Sequence, residues 1–403
     1  MLTRRITFRM YPSKAQEAKL FDWRRLHCYL YNSAVADRRD SYKKRCVSVN
    51  YLDQQNRLPA FKETWGEYKE LGSQALQNTL KRVDLAYQGF FKRLRGYPKF
   101  KSIRHYSGWT YPAKAGWKAE TDGKNGHLNI SNLGRVQITG QARTWGTPTT
   151  CTIVCRNGKW YASITVDCEP QRGTGEGAIG LDFGCNHAVA TSDGTLIENP
   201  RFLGKSLAKV RSQSKQLRRK KKRSRRWKKV SKKVSKLQRK IANQRQDWTH
   251  KVAAEIVRSN SLVATEKLSL NNMTRKATTK GKQQKAGLDR SILDVGIGAL
   301  ISAIKYKLTE VNGVFVEVPT QQVKPSQTCP QCGNQVKKTL AERVHSCIKC
   351  GYVADRDVAA AKVMLNWATG LGTNLDRCGL DSSTNRATGR QLAKTKRQKL
   401  LAL

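Results

Sequence analysis

The stretch SQTCPQCGNQVKKTLAERVHSCIKCGYVADRDVAAAKVML, Ser326 to Leu365, sets two Cys-x-x-Cys knuckles directly before a pair of acids and an alanine-rich run. Cys329, Cys332, Cys347 and Cys350 read as C-x2-C, fourteen residues, then C-x2-C. Two-residue spacing turns both thiolates of a knuckle toward one ion, and two knuckles complete a tetrahedral four-thiolate site. Gly333 and Gly351 follow the second cysteine of each knuckle, where a left-handed backbone relieves the turn. Four thiolates leave no open position for a substrate, so the expected ion is one structural zinc. A redox reading as two thioredoxin-like pairs fits less well, because neither pair lies at a strand-to-helix turn.

The acids that follow, Asp355 and Asp357, need a reason of their own. Upstream, Asp182 in IGLDFG and Glu266 in LVATEKL sit in short apolar strand patterns, where a lone carboxylate is costly to bury. Each alone is more often an edge or turn residue. Together they place an acid in a first strand, an acid in a fourth, and an acid opening the last helix, which gathers three carboxylates at one edge of a ribonuclease-H-type sheet. Such hard oxygen ligands suit Mg or Mn. Two ions roughly 4 Å apart activate a water and stabilise the leaving oxygen of a phosphodiester, which is hydrolytic cutting of nucleic acid.

Around these motifs the period of the sequence changes several times. RRITFRMYP reads as a strand, and SKAQEAKLFDWRR onward reads as a helix that Ser13 and Gln16 open with capping-box spacing. SQALQNTLKRVDLAYQGFFKRLRG is a second helix, ended at Pro98. From Tyr106 to Pro170 the period is two, with a hairpin turning at RNGK. After QRGTGEG come three meander strands, a long basic helix, the helix DWTHKVAAEIVRSN, the strand SLVATEKL, the helix DVGIGALISAIKYKLTEV and the strand VFVEVP. That succession describes a mixed α/β sheet.

Composition agrees. Of 403 residues, 38% are hydrophobic, enough for globular cores, while 77 Lys and Arg against 29 acids give a net charge of +48. The natural partner of such a chain is a polyanion. No apolar run is long enough to span a bilayer, so no membrane role is expected. The N-terminus lacks the apolar core of a signal peptide, and eleven cysteines, four of them in the knuckles, suit a reducing compartment; the expected location is cytoplasmic.

GLDFG, ATEKLSL, SQTCPQCG…CIKCGY and DRDVAAA, in this order, resemble the nuclease half of transposon-encoded TnpB proteins, relatives of compact type V CRISPR effectors. RMYPSKAQEAKL and YPKFKS resemble that family's opening, and the likeness runs to about Trp367. The resemblance implies a multidomain α+β chain, with an N-terminal wedge-type β-barrel holding an inserted helical domain and a C-terminal RNase H-like (RuvC) domain holding a zinc ribbon. The implied boundaries are 1–12 for the first barrel strand, 13–100 for the helical recognition domain and 101–172 for the rest of the barrel. The nuclease domain follows at 173–322 with a basic insertion at 205–245, then the target-nucleic-acid-binding ribbon at 323–353 and the last helix at 354–369. A basic tail at 370–403, rich in Gly, Ser, Thr and Lys, reads as disordered.

The implied activity is RNA-guided, Mg-dependent DNA cleavage. A transposon-end RNA holds the guide, a short adjacent motif marks double-stranded target DNA in a prokaryotic nucleoid, and one site with two Mg ions cuts. By motif position Asp182, Glu266 and Asp357 are the metal ligands. The family pattern Asp-x-Asn-Ala-Ala selects Asp357 over Asp355, but its Asn is Ala359 here, which leaves both acids in play. Two other activities share these features: a DDE-type transposase acting directly on DNA, and a catalytically silent RNA-guided repressor.

Between Lys215 and Lys240 there is no acid, and the run includes Arg218, Arg219, Lys220, Lys221, Lys222, Arg223, Arg225, Arg226, Lys228 and Lys229. It is either a solvated arm or a surface laid against phosphates, with Trp227 packing it to the body. His250 reads as a helix residue that packs or touches phosphate, and Cys185 with His187 as sheet packing. The rings of YQGFFKRLRGYPKF stack on bases or fill a helical core, and the sequence does not separate the two.

Overall fold

Strict alternation in LTRRITFRMY builds strand β1 (Leu2–Tyr11), and Ser13 then starts α1 (Lys14–Arg45) with the expected capping box: its side chain accepts from Gln16 N, and the Gln16 side chain accepts from Ser13 N at 3.0 Å. The computed structural model describes residues 2–112, 115–169, 173, 175–275, 281–339 and 342–370, so the tail expected at 370–403 lies, Gly370 apart, outside the described residues. The chain divides into two units, Met1–Gln171 and Arg172–Leu403.

In the first unit α2 (Tyr51–Asn56), α3 (Leu58–Thr64) and α4 (Ser73–Phe91) follow α1. Then come β2 (Gly108–Tyr111), β3 (Trp117–Glu120), β4 (Gly126–Ile130), β5 (Gly134–Thr139), β6 (Thr147–Arg156) and β7 (Lys159–Cys168). The seven strands order as β2-β6-β7-β1-β5-β4-β3, with β1 antiparallel to both β7 and β5. Asn157 and Gly158 both take positive φ, 54° and 71°, the geometry a two-residue hairpin needs to match strand twist. One face of the sheet buries Phe8, Met10, Ile153 and Ile164, and the helices dock through Trp23, Trp109 and Trp160, which meet edge to face.

His27 is fully buried in this interface. Its ring stacks on Trp109 at 5.1 Å, its Nδ1 lies 2.8 Å from Thr79 Oγ1, and its Nε2 has no partner. Burial, helped by the Arg82 charge, pulls its pKa down to about 3, so the folded protein holds it neutral. The unfolded chain takes up that proton near pH 6.5, and stability present above pH 6.5 should fall by about 1.4 kcal/mol per pH unit below it, down to about pH 3. An imidazole NMR titration checks this: a His27 resonance titrating near pH 6 in the folded protein contradicts it.

The second unit opens with β8 (Gly177–Asp182), β9 (His187–Thr191) and β10 (Leu196–Glu198), then α5 (Phe202–Arg218), α6 (Arg225–Ser259) and β11 (Asn260–Glu266). α7 (Leu270–Met273), α8 (Lys282–Val295), α9 (Ile297–Glu310), β12 (Val314–Val318), α10 (Thr320–Val323), β13 (Val344–Ser346), β14 (Val353–Asp355) and α11 (Arg356–Thr369) complete it. Its main sheet orders as β10-β9-β8-β11-β12, antiparallel across the first three strands and parallel from β8 through β12. Ile179, Leu181 and Val263 face a core shared with α6 and α9, whereas Ala264 and Val318 face Ala361 and Met364 of α11. Both faces of the parallel strands are therefore covered.

Two sequence expectations change here. The basic run breaks at Arg219–Ser224, where Arg223 takes φ +71°, and Ser224 caps α6 by accepting from Trp227 N. From Arg225 the basic helix and DWTHKVAAEIVRS form one continuous helix, because no Gly or Pro separates them. The expected single helix over DVGIGALISAIKYKLTEV is cut by Gly296 at φ +75°, which ends α8 and starts α9.

Candidate active site

Asp182 and Glu266 are the last residues of β8 and β11. The parallel register ends at Leu181 beside Thr265, so the two acids leave neighbouring strands together at the carboxyl edge of the sheet. Open α/β sheets present ligand sites at that edge. Strand alternation puts Gly180 with Asp182, and Ala264 with Glu266, on the face covered by α11.

Helix α11 lies close to that face because its buried side, Val358, Ala359, Ala360 and Ala361, is small. The approach is closest at Gly180: a Cβ there would meet the Ala361 carbonyl oxygen at 1.9 Å. Ala359, at 1% exposure, fills the position where the family pattern has Asn. Asp355 and Asp357 have different work. The Asp355 carboxylate caps α11, accepting from Asp357 N at 2.8 Å and Val358 N at 3.3 Å, while Asp357 stands in the first turn beyond the cap.

The electrostatics bring the acids together. Burial, and then the charges of Asp357 and Glu266, push the Asp182 carboxyl up to about 8, with Arg356 opposing. Asp182 therefore keeps a proton at neutral pH, chiefly because burial penalises its charged form. That is the behaviour of a carboxylate set which fits hard divalent cations, whose charge would relieve the repulsion. Arg356 sits 3.4 Å from Asp357 and donates to the Glu342 carbonyl at 3.0 Å.

The four cysteines also meet. Cys329 and Cys350 sulfurs are 3.6 Å apart, as are those of Cys332 and Cys347, and all four lie within 4.8 Å of one another. With metal–sulfur bonds of about 2.3 Å, a tetrahedral ion needs sulfur separations of roughly 3.8 Å, so the set fits zinc. Gly333 and Gly351, at φ 72° and 73°, donate back to the Cys329 and Cys347 carbonyls at 3.0 and 2.9 Å, making two like turns. The Cys350 backbone N–H chiefly pulls Cys347 down to about 6, toward the thiolate a metal takes. Asn366 of α11 donates to the Pro330 carbonyl at 2.8 Å, tying the first knuckle to the helix that carries Asp357.

All ten basic residues from Arg218 to Lys229 named above are exposed, and Trp227 is half-buried. His250 bonds Tyr306 at 3.2 Å, and His187 faces Glu198 at 3.1 Å. Among the described residues the His, Cys, Asp and Glu set close enough to hold a metal is the four cysteines; neither His187 with Cys185 nor the three acids stand that close. The aromatic segment divides: Tyr87 packs inward against Tyr97, whereas Phe91 and Phe100 are exposed. Sequence reasoning missed Gly180, Arg356 and Asn366. A glycine inside an apolar strand and an arginine between two acids were the available signals.

Three family models match in chain order: a helix-turn-helix domain over residues 1–46, the OrfB_IS605 family described as "Probable transposase" over 161–277, and a Cas12f1-like TNB domain over 298–364. In this chain residues 1–46 hold β1 and one unbroken helix. An Escherichia coli protein named "Putative RNA-guided DNA endonuclease InsQ" is 29% identical over 371 residues, covering 89% of this chain and 90% of its own. A Streptomyces pristinaespiralis protein named "Putative RNA-guided DNA endonuclease" is 28% identical over 416 residues, covering 99% and 97%. A TnpB-like protein of Acanthamoeba polyphaga mimivirus is 28% identical over 123 residues, 30% of this chain and 22% of its own. Over most of its length the chain is thus similar to proteins named as RNA-guided DNA endonucleases, and over part of it to the OrfB_IS605 and Cas12f1-like TNB families and to a TnpB-like protein.

Proposed function

We propose that this protein is a transposon-encoded, RNA-guided endonuclease that cuts double-stranded DNA by metal-assisted phosphodiester hydrolysis. One observation carries the reading: Asp182, Glu266 and Asp357 come from two adjacent parallel strands and the helix laid across them, and their charges converge on one desolvated carboxyl. A five-stranded sheet with its third, second, first, fourth and fifth strands in that spatial order supports an RNase H-like nuclease domain of the RuvC type. Asp182, Glu266 and Asp357 would hold two Mg ions, which when bound supply the Lewis acidity for attack by water on phosphorus.

The remaining chemistry belongs to the chain. Asp182 releases its proton as cations enter, so cation affinity should rise with pH up to about 8. Asp355 fixes the first turn of α11 and hence the place of Asp357. The zinc ribbon, anchored through Asn366 and Arg356, holds the entry to that helix. Guide RNA from the transposon end supplies sequence choice by base pairing, and the protein reads a short motif next to the target. No helix among the described residues is long and apolar enough to cross a membrane.

The test is to purify the protein from cells carrying its native locus and sequence the nucleic acid that accompanies it. A single defined RNA with one variable end, directing Mg-dependent cutting of matching DNA, is the expected result. Strand joining without guide dependence would instead favour the transposase reading, which the family description also names. Zinc makes a separate prediction. Metal analysis should return one zinc per chain, and Cys329→Ser should lower cleavage by about tenfold or more through the α11 anchor. A zinc-free protein cutting at the full rate would refute the ribbon's role.

A further inference from the structure

Helix α5 begins without a cap of its own. Arg201, at its N-cap, is left-handed at φ 47° and offers no side-chain bond, so the first-turn amides need an outside acceptor. That acceptor is Asp294, about ninety residues later in α8. Its carboxylate takes Leu203 N at 2.9 and 3.1 Å and Gly204 N at 3.0 Å, and also the Arg245 guanidinium of α6 at 2.9 Å. Asp294 is buried, and it stands in the last turn of α8, where the helix dipole disfavours an acid. A helix N-terminus and an arginine from two other helices offset that penalty. Gly296, two residues on, completes the fit, since a Cβ there would press to 3.0 Å from the Arg245 side chain.

α5 and α6 are the two arms of the basic hairpin, and no acid occurs in the chain from Asn199 to Gln246. We infer that Asp294 is a positioning residue: a single carboxylate that clasps the base of both basic helices and so sets where their charged turn, Arg218 to Lys229, meets phosphate. This rests on the proposed nucleic-acid function. Without the clasp the hairpin still carries its charge but holds it in no fixed place. Binding should then lose part of its counterion release, and cleavage should slow even when nucleic acid saturates the protein.

The experiment compares wild type with Asp294→Asn and Arg245→Gln in the full-length complex. Four readouts are taken: thermal melting, amide exchange at Leu203 and Gly204, the slope of log affinity against log salt, and single-turnover cleavage. Expected for Asp294→Asn are faster exchange at the two amides, a salt slope shallower by about two units or more, and cleavage slowed by roughly tenfold, with Arg245→Gln shifting all three less. A folded Asp294→Asn with the wild-type slope and rate would overturn the inference. If that variant does not fold, Arg245→Gln decides by the same criteria. Wild type that shows no salt-dependent binding retires the proposed function instead, and the amide exchange still reports on the clasp.

Discussion

Replacing Asp182 by Asn should abolish cleavage, by on the order of a thousandfold or more, because carboxylates of one metal site act as a unit. The same change should make the metal-free protein more stable. In the wild type the Asp182 carboxyl is pushed up to about 8 by burial and by the neighbouring Asp357 and Glu266. The folded chain thus binds a proton that the unfolded chain has already released above about pH 4, and its stability falls as pH rises from there toward 8. Asparagine removes that slope. Between pH 5 and pH 8 the destabilisation that Asp182 causes in metal-free wild type should be absent in Asp182→Asn, which keeps only the rise His27 contributes up to pH 6.5, and added Mg should raise only the wild-type value. Equal pH dependence in the two proteins would argue that the three acids do not share one site.

Gly180→Ala should be nearly as damaging, though the residue touches no substrate. The added methyl would meet the Ala361 carbonyl oxygen at 1.9 Å. That neighbour is backbone, so no side chain can swing aside, and strand and helix must part by more than an ångström. Overpacking of this kind costs about 1–3 kcal/mol. A displacement near 1 Å at a reacting centre costs roughly a hundredfold in rate. Helix α11 carries Asp357, so the expected result is a folded protein that melts lower and cuts about a hundred times more slowly. Single-turnover cleavage at saturating guide and target measures it, and an unaltered rate would mean that the register of α11 on the sheet is not what sets the site.

The features legible in the sequence are those whose causes are local. Ser13 and Gln16, three residues apart, specify a helix start by themselves, and Asn157–Gly158 specifies a hairpin because few residue pairs accept two positive φ angles. The cysteine knuckles are legible for the same reason. Features made by distant partners were not. Nothing near Phe202 announces that Asp294 will cap its helix, and nothing in IGLDFG says that a carbonyl from residue 361 will lie on Gly180. Gly296 could have been weighed as a helix break, but the apolar period runs straight through it. The different surroundings of Asp355 and Asp357 also needed structure, because only the hydrogen bonds show that Asp355 caps α11 while Asp357 pairs with Arg356.

The ribbon interrupts the chain between β12 and α11, and this has a consequence for synthesis on the ribosome. A nascent chain displays both strand acids once Glu266 has emerged, yet the third acid follows about 90 residues later, roughly 5–20 s at ordinary elongation rates. Between those moments lies the four-cysteine segment whose first knuckle is tied to α11 through Asn366. A chain stalled or cleaved anywhere in that interval has two of the three acids and no helix to complete the set. On the proposed function, incomplete copies would be harmless to the genome that encodes them, because cutting would wait for the helix that carries Asp357.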